Sequence, residues 1–321
     1  MTQKYWEHKP TSFQATVEHV ERFIRAEIIR ETKEKQLYYH NIDHALGVKR
    51  RAELIFEAIA PVLAQNFSAL ELSRIASLIS VSSLAHDMVQ IFEPTPPNHS
   101  RKRLSGSSEA ETAHKLLAYI QKLNRALVAE RADPFLLFSD REQLIIKDSI
   151  LATICVPDPV ENQADFAFSA RSIYQPYLYD SQTKISLVGS IIALADLGTL
   201  GIDGVEAYIN DGILIFLEDN PHLATIASQC NPVNCSQEMV SKAKLLGMSR
   251  FIVDLAYERK VRFEREIEGF EPQIRHILRT QVFVHLNQSS IERVRAIVPH
   301  EPNTSFKELI DFFCSNTVRV L

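Results

Sequence analysis

The side chains with the greatest chemical capacity fall in three short stretches. The first is Tyr38-Tyr39-His40-Asn41-Ile42-Asp43-His44. Asn41 suits a helix N-cap, because its side chain can accept from the free amides of a first turn. His44 then takes the third helical position, and His40 lies just before the start. Both imidazoles can face one point above the N-terminal end, although two histidines four apart also share a face by chance. The second stretch is Ala85-His86-Asp87, closing a run that contains Ile75, Leu78, Ile79, Val81 and Leu84. A helix apolar nearly all round is buried, and a carboxylate buried without a partner is costly. The third is Asp196, set among Ile191, Ile192, Leu194, Ala195 and Leu197. One divalent cation would satisfy buried polar groups on separate core helices at once. The competing reading is a polar core network in which Asp87 meets an arginine or caps a helix.

The elements that must carry these residues read as helices. Thr11-x-x-Gln14, Ser68-x-x-Glu71, Ser108-x-x-Glu111, Asp140-x-x-Gln143 and Ser305-x-x-Glu308 have capping-box spacing or a close variant, each ahead of an apolar-periodic run. The pattern predicts helices near 12–35, 42–65, 68–87, 108–130, 140–155, 183–198, 203–217, 236–267, 271–286, 288–297 and 305–315. Two long loops remain, near 88–107 and 156–182. The first holds Arg101-Lys102-Arg103, either a solvated charge run or basic groups that attract a phosphate-bearing substrate. The second holds Phe166, Phe168, Tyr174, Tyr177 and Tyr179, which either stack on a base or pin the loop to the core.

Composition agrees with helices. Only 9 of 321 residues are glycine, too few for a chain rich in tight hairpins or phosphate-cradling loops, so the expected class is all-α. Thirty-five basic against 40 acidic residues leave a net charge of −5, which argues against general nucleic-acid binding. No apolar stretch approaches about 18 residues, so no membrane span is expected. The N-terminus lacks the apolar core of a secretory signal, and 4 cysteines make no disulfide framework. Cys230 and Cys235, five apart without a second pair, make a weak zinc site. The expected location is cytoplasmic.

Taken together, His44, His86-Asp87 and Asp196 resemble the metal-binding signature of the HD-domain superfamily of metal-dependent phosphohydrolases. The Tyr-His-Asn-x-x-His start is similar to cyclic-nucleotide phosphodiesterases. The segments YHNIDH, HDMVQ, SEAETA, Ile150-Leu151-Ala152-Thr153 and DLGTLG are closer to a bacterial group of predicted HD-superfamily phosphohydrolases. The resemblance covers about residues 36 to 215. It implies an HD-type helical bundle over 36–215, an N-terminal helix (1–35) packed on it, and a C-terminal helical extension (216–321). No chemistry is assigned to that extension, which is expected to cover one side or to make a homo-oligomer contact.

The resemblance further implies that His44, His86, Asp87 and Asp196 hold one divalent ion, with Asp87 also part of the catalytic set. His40 is expected to protonate the leaving oxygen. Glu109 falls where relatives carry an acidic residue that orients the nucleophile or serves a second metal. Relatives often carry a histidine after ILAT, where this chain has Ile154-Cys155-Val156, so a second ion loses a ligand. Two imidazoles and two carboxylates suit Mn²⁺, Fe²⁺, Co²⁺, Ni²⁺ or Zn²⁺ better than Mg²⁺. Such an ion lowers the pKa of its water from 15.7 towards about 7–9 and supplies hydroxide near neutral pH. The expected activity is hydrolysis of a phosphate ester or phosphoanhydride in a small molecule such as a nucleotide. The alternatives are a metal-binding sensor or interaction module without turnover, and then a cyclic-nucleotide phosphodiesterase.

Overall fold

Local signals place most of the helices. The computed structural model describes residues 9–96, 99–159, 170–179, 185–224 and 235–315. Helix α1 (Phe13–Lys35) is followed by α2 (Ile42–Leu63), α3 (Ala69–Ala85), α4 (Ser107–Ala129) and α5 (Asp140–Leu151). Ser68 and Glu71 close a reciprocal capping box at α3, as expected. Three caps differ. At α1 the N-cap is Ser12 rather than Thr11, and at α5 it is Ser139, boxed with Glu142. At α4 Gly106 takes the N-cap position with φ of 79°, a conformation that glycine adopts without penalty. Ser108 is thereby freed to accept from the Ile91 amide at 3.0 Å, which ties the end of the first loop to α4.

Among the described residues the chain is all-α apart from one two-stranded antiparallel pair, absent from the helical reading. Val156–Pro159 (β1) pairs with Ala170–Tyr174 (β2), Val156 opposite Tyr174, inside the second long loop. After it come α6 (Leu187–Asp196), α7 (Thr199–Ile202) and α8 (Val205–Asp219). The last four helices are α9 (Cys235–Glu266), α10 (Pro272–Ile277), α11 (Gln288–Ile297) and α12 (Phe306–Ser315). The run expected over 271–286 leaves α geometry at Leu278, where a π turn carries it to Val282. Phe166, Phe168 and Cys230 lie outside the described residues.

Two apolar clusters hold these helices together. The larger joins α1 to α6, with Val48, Ile55, Ile79, Leu84, Ile120, Ile146 and Ile191 all buried, and α1 packs on α3. The second gathers around α8, where Ile213 and Leu217 meet Ile252, Val294, Leu309 and Phe313. Helix α8 runs unbroken through position 215, the expected end of the bundle. No helix among the described residues is long and apolar enough to cross a membrane.

Candidate metal centre

Asn41 caps α2 as its sequence position predicts, its Oδ1 accepting from the amides of Asp43 and His44 at 2.9 and 3.1 Å. Asp43 is exposed in that first turn, where a negative charge favours the helix dipole. Helix α3 stops at Ala85, and His86, its C-cap, drops into the core with Asp87 beside it. Asp196 is the last residue of α6. Three separate helices therefore deliver one group of four side chains, whose nearest ligand atoms all lie within 4.8 Å of one another.

The spacing of those atoms tests whether an ion fits. His44 Nε2 lies 3.2 Å from His86 Nε2 and 3.4 Å from Asp87 Oδ2. His86 Nε2 lies 3.0 Å from Asp87 Oδ2 and 3.5 Å from Asp196 Oδ1, and His44 Nε2 is 3.9 Å from the same Asp196 oxygen. Ligands about 2.1 Å from a shared ion lie roughly 3.0 Å apart at right angles and roughly 3.4 Å apart at the tetrahedral angle. The donor set fits. His86 Nδ1 faces the Ser83 carbonyl at 2.8 Å, which can only accept, so Nδ1 carries hydrogen and Nε2 is the nitrogen turned towards the other three side chains.

Electrostatics points the same way. Burial alone would strip His86 of its proton, but the carboxylates of Asp87 and Asp196 reverse this and hold it well above the ordinary range. Burial likewise opposes ionisation of Asp87, and His86 and His40 overcome it, keeping the acid well below its ordinary value. The centre attracts positive charge. The group could hold a metal ion.

His40 stands beside it, with Nε2 3.6 Å from Asp87 Oδ2. What fixes His40 is Glu218, fully buried on α8. Its Oε1 accepts from His40 Nδ1 at 2.5 Å, and its Oε2 accepts the backbone amides of Tyr39 and His40 at 2.8 and 3.0 Å. Burial opposes charge on both partners, yet their pairing wins: His40 is raised above its ordinary value, and Glu218 is lowered to about 2.

The basic run divides. Arg103 donates to Glu218 Oε1 and to Asp219 Oδ1, each at 2.5 Å, and to Gln90 Oε1 at 3.2 Å, while Gln90 donates to Asp87 Oδ1 at 3.1 Å. Arg101 lies against the Phe92 ring and Lys102 is exposed. The backbone amide of Arg101 donates to the Asp219 carbonyl at 2.7 Å. This corrects the picture of a solvated charge run, because Arg103 and the backbone of Arg101 fasten the loop to the end of α8.

Glu109 sits half-buried in the first turn of α4, its carboxyl pushed up by burial and by the nearby charge of Asp87. Cys155 is a free thiol raised well above its ordinary range by burial and by Asp196 and Glu109. The second loop is pinned to α9. Arg262 lies 5.0 Å over the Tyr174 ring, and Tyr179 donates to Glu266 at 2.8 Å.

Sequence reasoning missed Glu218, Gln90, Gln175 and Asp211. Buried Gln175 donates through Nε2 to Asp196 Oδ2 at 3.0 Å, orienting the carboxylate from behind. Nothing in its local sequence marks it. Glu218 did carry a signal: it follows Ile213-Leu214-Ile215-Phe216-Leu217, the same acid-after-apolar-run pattern that drew attention to Asp87. No family model matches the chain, and no curated protein or solved structure matches it either.

Proposed function

We propose that this protein is a metal-dependent phosphohydrolase of the HD-superfamily type, acting on a phosphate ester or phosphoanhydride of a small molecule. The observation that carries the reading is the pairing of a four-ligand group with an adjacent histidine whose second nitrogen is held by a buried carboxylate. In this reading His44, His86, Asp87 and Asp196 hold one divalent ion. Their mixed nitrogen and oxygen donors favour Mn²⁺, Fe²⁺, Co²⁺, Ni²⁺ or Zn²⁺ over Mg²⁺. When bound, such an ion supplies a nucleophile near neutral pH and draws charge from a phosphoryl oxygen.

The remaining chemistry belongs to the chain. Glu218 accepts from His40 Nδ1, so His40 Nε2 is the nitrogen left to give a proton to the leaving oxygen. Because the same pairing raises His40, the acid form persists further towards neutral pH than in a free imidazole. Glu109, whose carboxylate is made a stronger base by burial and by the charge of Asp87, is suited to take up the proton lost by the attacking water. Gln175 and Gln90 keep the two carboxylates turned. Elemental analysis of the purified protein should find a stoichiometric transition metal, and addition of Mn²⁺ or Co²⁺ should release phosphate from some member of a panel of nucleotides and simpler esters. His40→Ala should lower kcat by about 10²–10⁴ without loss of metal. Retained metal with no turnover on any ester would favour a sensor module instead.

A further inference from the structure

A small cavity adjoins the four-residue group on the Asp196 side. It measures about 90 Å³, and its walls include Tyr39, Tyr208, Ile215, Phe251, Ile252 and Asp211. Tyr208, Asp211 and Ile215 come from α8, and Phe251 and Ile252, within the C-terminal extension, come from α9. Tyr39 borders both sites, its ring edge-on to His40 with centroids 4.8 Å apart and tilted against His44 at 4.2 Å.

Size, surface and charge limit what enters. The space is smaller than the roughly 150 Å³ cavity known to admit benzene. A compact group suits the space better than a nucleobase. The walls are mainly apolar and aromatic, so the occupant carries a hydrocarbon stem. Asp211 is one of two carboxylates in the wall, with Asp196. Thr199 donates to its Oδ2 at 2.9 Å, and the nearby arginines make their ion pairs with other acids. Arg259, in the cavity wall, gives both terminal nitrogens to Glu266. Arg51 gives Nη1 to Asp203 at 2.9 Å and Nε to the Ala195 carbonyl at 2.7 Å. His44 faces the four-residue group. A carboxylate in a largely apolar and aromatic wall, with the nearby arginines ion-paired to Asp203 and Glu266, is suited to an organic ammonium ion.

We propose that this cavity seats the organic half of the substrate and that this half is a compact aliphatic amine. Its ammonium pairs with Asp211 and its methylenes lie against Tyr208, Phe251 and Ile215. The phosphate end of this inference rests on the phosphohydrolase reading, whereas the amine end rests on the cavity alone. In the reaction, water adds to phosphorus and the bond from phosphorus to the ester oxygen breaks. That oxygen takes the proton from His40, and an amino alcohol and inorganic phosphate leave.

The test compares 2-aminoethyl phosphate with its neutral counterpart, propyl phosphate, on the Mn²⁺-loaded full chain. The expected kcat/KM ratio is at least about tenfold in favour of the amine, falling to near one in Asp211→Asn. In parallel, propylammonium chloride should raise the unfolding temperature of metal-free wild type but not of Asp211→Asn. Ile215→Phe, which fills the cavity without touching a charge, should abolish both effects. Faster turnover of a nucleoside monophosphate than of 2-aminoethyl phosphate would overturn the inference, as would an amine preference that survives Asp211→Asn. If no ester is hydrolysed while the Asp211-dependent thermal shift persists, the hydrolase reading falls and the amine site stands.

Discussion

Glu218 shows how one buried acid governs a neighbouring base. Its carboxylate accepts three hydrogen bonds from His40 and Tyr39 and one from Arg103, and together they lower it from 4.5 to about 2. A group whose folded value is depressed contributes stability that is present above its unfolded value and lost as pH falls through its folded value. The window here runs from about pH 4.5 down to about 2. Glu218→Gln should therefore cost on the order of 3 kcal/mol at neutral pH and flatten the acid limb, read by urea unfolding between pH 2 and 7. The same variant removes the charge that holds His40 up, so the alkaline limb of any kcat profile should move to lower pH. Gln175 acts on the four-residue group from behind, through Asp196. Gln175→Ala leaves Asp196 free to turn, and metal affinity should drop about 10–100-fold by titration calorimetry, while the far-ultraviolet circular dichroism stays that of wild type.

Among the helices, the short α7 holds the chain that leaves Asp196 at the end of α6. Gly201 in α7 faces Phe283 so closely that an added Cβ would lie 2.6 Å from Phe283 Cδ1. The His285 amide also donates to the Gly201 carbonyl at 2.9 Å, so the chain after the π turn is fastened to α7 by backbone as well as by packing. Gly201→Ala must push the two apart. We expect a loss of about 1–3 kcal/mol in thermal or urea unfolding, with weakened metal uptake as the end of α6 shifts. The two glycines of DLGTLG were legible in the sequence as part of a motif. Their reason was not, because the surface that Gly201 approaches lies more than eighty residues further along.

Across the whole molecule, the site lies where the two apolar clusters meet. His44, His86 and Asp196 come from the larger one, whereas Glu218 and Asp211 come from α8, around which the smaller one is built. Phe313 on α12 is fully buried in that smaller cluster, against Phe216 with ring centroids 5.2 Å apart. Phe313→Ala should cost about 3–5 kcal/mol and, by loosening α8, should also weaken the hold on His40. An ion that binds only the folded state at a hundred times its dissociation constant adds about 2.7 kcal/mol, so chelation should lower Tm in wild type and much less in His86→Ala. Differential scanning calorimetry with and without chelator reads both effects.

Much of this protein was written in its local order. The scarcity of glycine and the recurrence of apolar residues at helical spacing foretold an all-α chain, because those features act through the nearest few residues. His86, Asp87 and Asp196 were legible as well, since they stand within or at the end of apolar runs and so advertise buried polar groups in need of partners, and His44 was legible through its place in the first turn after the Asn41 cap. Tertiary structure alone decided which groups would serve them. Glu218 reaches His40 across 178 positions and Gln175 reaches Asp196 from an extended loop. Arg103 leaves solvent for α8, and Asp211 closes a cavity with α9. Those pairings depend on how the helices stack, and stacking is determined by side-chain volumes meeting across long separations, which no short stretch of sequence contains.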